Sequence, residues 1–174
     1  MLTIYNWPGL MDAINAAGYR VDQRDNDLVG VKTSDGTTGA AVDSAITAVV
    51  SGYPVSAAAD AVCQQIEALA TAKRNAVVAP FSPGEMSSWP IKLAEARQFG
   101  LSANPADAPF LAREAAKRGV TLQQLAGKVI ANATQLSAIE ADIAGVNGLH
   151  RDAVRALTTH EQVLAYDYTT GWPL

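Results

Sequence analysis

The stretch "TLQQLAGKVIANATQLSAIEADIAG" (121–145) sets Leu122, Val129, Leu136 and Ile143 seven residues apart, with Leu125, Asn132 and Ile139 three residues after the first three. Apolar side chains at these intervals share one face of a helix, so a long helix is expected near 121–145. Such a stripe needs something to pack against. Two partners stay open at this stage. One is a helical hairpin within the chain, for which Ala126, Ile130 and Ala133 widen the apolar face. The other is a coiled coil with further copies, in which the polar Asn132 would set register or oligomer number.

The rest of the chain after residue 55 also reads as helical. Val62, Ile66, Leu69 and Val77 form an apolar stripe over about 56–79. Ser82-Pro83-Gly84-Glu85 carries a capping serine, a proline for the first helical position and a glutamate in the first turn. Asn104-Pro105-Ala106-Asp107 predicts a helix to about Arg118 with Gly119 as its stop, Thr121 with Gln124 opens the long helix, and Thr158 with Glu161 opens the last one. Residues 1–54 differ. A helix with Leu10, Met11, Ile14 and Ala17 stops at Gly18, two alternating stretches flank a turn at Asp25-Asn26-Asp27, and a second helix over about 40–51 aligns Val42, Ile46 and Val49. The expected fold is mainly α: a helical bundle (55–174) with a small N-terminal α-β-β-α module (1–54).

Composition narrows the function classes. With 49% hydrophobic and 17% charged residues the chain can bury a core. A formal net charge of −4, with no basic run longer than Lys73-Arg74 or Lys117-Arg118, argues against nucleic acid as a partner. The opening "MLTIYNWPGL" lacks a basic segment followed by an apolar one, and nowhere do ~18 apolar residues run together, so synthesis in the cytoplasm without membrane insertion is expected. The lone Cys63, beside Val62 and Ile66, reads as a small buried hydrophobe.

The motifs that carry chemistry are weak. His150 and His160 stand ten apart, which is not the spacing that presents two ligands from one helix to a metal. "HRD" at 150–152 lacks every other kinase element, "DQRDND" at 22–27 lacks the glycine and terminal glutamate of a calcium loop, and no serine lies on a G-x-S-x-G elbow. The two glycines of "DGTTGAAV" lead into a helix, but no lysine stands where a nucleotide site needs one. No catalytic, metal or cofactor-binding residue is assigned, although an acidic pair formed in space would be invisible here.

Two aromatic features suggest contact surfaces. In "EMSSWPIKLAEARQFG" (85–100), Pro90 lacks an N–H and biases Trp89 toward an extended backbone. A helix beginning or kinking near Ser88 would leave Trp89 at its mouth, packed over Leu93 and pinning the preceding loop, or lying on a partner as an anchor. The C-terminal "YDYTTGWPL" places Tyr166, Tyr168 and Trp172 on a tail that either folds back or lies on a neighbour.

The succession of "EMSSWPIKLAEARQF", "FLAREAAKRGVTLQQLAGKVIANA" and "IAGVNGLHRDAVRALTTHEQVLAYDY" resembles the C-terminal half of small tail proteins of tailed bacteriophages. These are labelled tail fibre or tail fibre assembly proteins and share a helical domain of uncharacterised function. The resemblance covers roughly residues 60–170 and leaves residues 1–54 without a counterpart. It implies a non-enzymatic virion protein of the tail tip, baseplate or fibre region, a docking adaptor that contacts other tail proteins and forms a homo-oligomer if the stripe is intermolecular. The candidate interface residues are Trp89, Leu122, Val129, Asn132, Leu136, Ile143, Tyr166, Tyr168 and Trp172. The alternatives are a fibre assembly chaperone absent from the mature virion, and a small phage enzyme with an unrecognised site.

Overall fold

The computed structural model describes residues 2–24 and 27–173. Among them seven helices and one two-stranded antiparallel sheet run in the order α1 (Leu10–Ala16), β1 (Tyr19–Arg24), β2 (Asp27–Lys32), α2 (Ala40–Gly52), α3 (Val55–Val78), α4 (Pro83–Ser102), α5 (Pro109–Arg118), α6 (Leu122–Arg155) and α7 (His160–Ala165). The mainly α fold with an N-terminal hairpin is therefore as the periodicity predicts. Asp25 and Asn26, where the sequence puts the hairpin turn, lie outside the described residues.

The chain divides into two compact units: Met1–Leu69 with Val146–Gly171, and Ala70–Gly145 with Trp172–Leu174. That division differs from the break expected after residue 54, because it falls within α3 and α6. A helix is continuous in its own hydrogen bonding but can hand its side chains to different neighbours along its length.

In the first unit the α-β-β-α segment builds a core from Leu2, Leu10, Ile14, Val42, Ile46 and Val50, against which Ile4, Trp7, Tyr19, Val21 and Tyr53 pack. The hairpin register pairs Tyr19 with Lys32 and Val21 with Gly30, so Tyr19 and Val21 turn inward while the ion-paired Arg20 and Asp22 (3.0 Å) lie on the opposite face. Two close approaches fix this unit. Gly9 (φ 73°) precedes α1 where the Tyr53 hydroxyl donates to Pro8 O at 2.7 Å, and a Cβ there would come within 2.6 Å of that hydroxyl. At Gly30 the amide donates to Asp43 Oδ1 (3.1 Å), and a Cβ would stand 2.6 Å from Ile46 Cδ1. Further along, Ile66 of α3 and Val154 of α6 are both fully buried.

The second unit is assembled by caps. Ser82 Oγ accepts from Glu85 N (3.1 Å) with Pro83 in the first turn, as expected. Of the two options for Ser88, a helix start is not found: α4 begins at Pro83 and runs through Pro90. Nucleated two turns upstream, it gives up one backbone bond at the proline, and the Ser87 and Ser88 hydroxyls donate to Gly84 O (2.8 Å) and Glu85 O (2.7 Å) in the turn just before it. Asn104 does cap, but only a 3-10 turn, Pro105–Asp107. The helix expected from Asn104 starts instead at Pro109, because the residue before a proline avoids helical angles and Ala108 sits at φ −138°, ψ 56°.

Gly119 (φ 67°) ends α5 in the left-handed region, and Thr121 with Gln124 closes a reciprocal capping box (3.0 and 3.1 Å) for α6. That helix is longer than the sequence suggested, continuing past 145 to Arg155. The apolar stripe continues with it, through Val146 and buried Val154. The last helix is capped by Thr159 and Gln162, one residue beyond the expected Thr158 and Glu161, since only that pair closes the box on both backbone amides. The core of the second unit is Ala96, Ala108, Leu111, Ala115, Leu125 and Ala126, with Phe99, Leu122 and Val129 against it.

Candidate interaction site

The stripe on α6 is partly used up within the second unit. Leu122, Leu125, Ala126 and Val129 pack against α4 and α5. Further on, Leu136, Ile139 and Ile143 of α6 line a trough with Val77 and Val78 at the end of α3, a pocket of about 290 Å³ edged by Arg74, Asn75 and Glu140. Arg74 Nε meets both carboxylate oxygens of Glu140 at 3.0 Å, and Nη2 adds a contact of 2.9 Å, a fork that ties α3 to α6 beside the trough. Ile143 is 1% exposed, Leu136 and Ile139 are half-buried, and Asn132 is exposed between the two covered stretches. The in-chain hairpin reading thus accounts for both ends of the stripe, and its middle stays open.

Charge organises the other side of this unit. The Glu95 carboxylate, reaching from α4, accepts from Phe110 N (3.2 Å) and Leu111 N (2.9 Å) and so caps α5, whose own preceding residue Ala108 has no side chain to do it. Glu114 bridges Lys92 (2.9 Å) and Arg118 (2.9 Å), and these cations hold its carboxyl below the ordinary carboxylate range, Lys92 most strongly. Lys92 Nζ also stands 5.7 Å from the centre of the Phe110 ring. Large apolar side chains remain outside this framework. Leu101 is 85% exposed and Ile91 53%, and Phe81, Phe110, Val120 and Ile130 are exposed as well.

Trp89 is not at a helix mouth but inside α4, half-buried, with its ring edge-on to Phe81 at 5.0 Å. It does pin the preceding loop, through Phe81. The first unit takes two tail residues. The Tyr166 hydroxyl lies 2.8 Å from His150 Nδ1, and His150 Nε2 lies 3.0 Å from Thr170 O. A carbonyl only accepts, so Nε2 carries the proton and Tyr166 donates to Nδ1. Burial and neighbouring Asp167 push the Tyr166 hydroxyl above its ordinary pKa. Tyr168 donates to Gln65 Oε1 at 2.9 Å. Both tyrosines are therefore tied down by hydrogen bonds within the chain, as the fold-back option expects, and Trp172 is half-buried.

Sequence reasoning missed several residues here. Tyr5, Trp7 and His160 stack with ring centres 4.5 and 3.9 Å apart, with Tyr53 5.9 Å from His160. The Glu95 cap and the Arg74–Glu140 fork were likewise hidden, since nothing local marks contacts across such separations. "HRD" lies within α6, with His150 buried, which is not the loop a kinase motif needs.

Among the described residues no group of three or more His, Cys, Asp or Glu side chains is placed to hold a metal, and no single helix is long and apolar enough to cross a membrane. No family model, curated protein or solved structure matches the chain.

Proposed function

We propose that the chain is a non-enzymatic structural component of a bacteriophage tail, a docking adaptor at the tip, baseplate or fibre that acts through protein-protein contacts. The observation that carries the docking part is the number of large apolar side chains left in water, Leu101 (85% exposed) and Ile91 (53%) together with Phe81 and Phe110, in a unit whose own core is largely alanine. Large apolar side chains kept in water raise the cost of the free state and are stabilised when a partner covers them. The tail assignment is supported by the three ordered sequence pieces that resemble small tail proteins. Its partners on this reading are other tail proteins, and its destination after synthesis in the host cytoplasm is the virion.

The test is quantitative mass spectrometry of purified particles, with copy number referred to the major tube protein. A few copies per particle that resist salt washing are expected, and Ile91→Ser with Leu101→Ser should reduce them while leaving the chain folded. Absence from particles, with fibre-defective particles when the chain is deleted, would replace this reading with an assembly chaperone.

A further inference from the structure

We propose that the open middle of α6 is covered by a second copy of this chain, packed antiparallel about a two-fold axis beside Gln135. This inference stands apart from the tail role. It rests on one edge of α6, where Lys128, Gln135 and Asp142 follow each other at seven-residue intervals and are all exposed. Seven residues make nearly two helical turns, so the three side chains line up along one edge. Neither Lys128 nor Asp142 has an ion pair among the described residues. Beside this edge lie Asn132, exposed, and Leu136 and Ile139, half-buried at the mouth of the trough.

The order of charges along the edge, positive then neutral then negative, selects the geometry. A parallel pair would set Lys128 beside Lys128 and Asp142 beside Asp142, two like-charge contacts. An antiparallel pair with Gln135 next to its own copy sets each Lys128 against Asp142 of the second copy, which gives two attractions from one symmetric patch. Gln135 suits the axis, because a side-chain amide both donates and accepts and can bond its own symmetry mate. Ile139, on the side of the trough nearest this edge, then gains cover from the second copy, Leu136 stays turned toward α3, and Asn132 stays at the margin. The contact spans few turns, since Leu125 (4% exposed) and Ile143 (1%) are already buried within the chain, so the dimer is expected to depend on concentration.

Crosslinking tests this directly in the full chain with Cys63→Ala, which removes the buried native thiol. Gln135→Cys should form a disulfide-linked dimer under mild oxidation. Lys128→Cys and Asp142→Cys should each stay uncrosslinked alone and crosslink when mixed. Sedimentation of the native-cysteine chain should show a monomer-dimer equilibrium whose dissociation constant rises about tenfold in Lys128→Asp and returns toward the starting value in Lys128→Asp with Asp142→Lys. Self-crosslinking of Lys128→Cys would mean a parallel arrangement and overturn the proposal. A chain that stays monomeric at every concentration would overturn it too, as would crosslinking of Gln135→Cys only to a different protein, which would give the open stretch to that partner instead.

Discussion

The two units bury different kinds of side chain. Among the described residues, the largest fully buried side chains Leu10, Ile14, Val31, Ile46, Ile66, Val154 and Val163 belong to the first unit, whereas the second contributes only Leu111 and Ile143. The second unit fills its centre with Ala96, Ala108, Ala115 and Ala126 and leaves Ile91, Leu101 and Phe110 outside. Each buried methylene is worth about 0.8 kcal/mol, so an alanine core holds its helices close but stabilises each of them weakly. Caps and charge then carry more of the work: Ser82, Glu95, Thr121 and the Lys92–Glu114–Arg118 triad all lie in this unit. The first unit buries more large apolar side chains, and the second combines a small-residue core with caps and ion pairs and leaves large apolar side chains exposed.

The sharpest challenge to this contrast is Ile46→Ala. Ile46 is 0% exposed and packs against Gly30, so its loss should cost about 3–4 kcal/mol in denaturant unfolding of the first unit. A cost under about 1 kcal/mol would mean that this core is not where the unit gains its stability. Next comes Ala96→Leu, which adds three carbons at a site with no exposure. It should destabilise by about 1–3 kcal/mol if the alanine core is closely packed. A stabilised variant would show instead that the second unit is under-filled, and would weaken the argument from packing.

A smaller effect is expected from Glu95→Ala, about 1–2 kcal/mol, because the first amides of α5 lose a charged acceptor. Hydrogen exchange should speed up at Phe110 and Leu111 specifically, and unchanged protection there would remove Glu95 from the list of supports. The smallest is a pH effect. Glu114 has a lowered folded-state pKa, so its stabilisation is fully present above the unfolded value near 4.5 and is lost as pH falls through the lower folded one. Glu114→Gln should therefore flatten the acid side of the stability profile below about pH 4.5, leaving neutral-pH differences as the only change elsewhere.

Much of the fold could be read in the chain. Ser82 and Thr121 start helices where their sequence neighbours say they should, and the α6 stripe lies on one face throughout. The failures have local causes. Pro90 does not start a helix at Ser88 because α4 is already nucleated at Ser82, and α6 runs on past 145 through two glycines, with Ile143, Asn147 and Val154 buried on either side of them. Of the candidate contact residues, Leu122 and Val129 turned out to serve the chain's own core, while Tyr166 and Tyr168 hold the tail down. Leu101 has no mark of its exposure in the sequence, because α4 carries no clear apolar stripe from which a single leucine could be seen to depart.

What the sequence determined alone was therefore what depends on neighbours within a turn or two: helix starts, the left-handed stops and the hairpin, each set by local hydrogen bonding and backbone sterics. The tertiary structure decided the rest, namely which face of α6 is already covered, that Glu95 caps a helix beginning 14 residues later, and that Tyr168 reaches Gln65 across 103 positions. Such contacts form only once distant segments have packed, and chain entropy hides them from any local pattern.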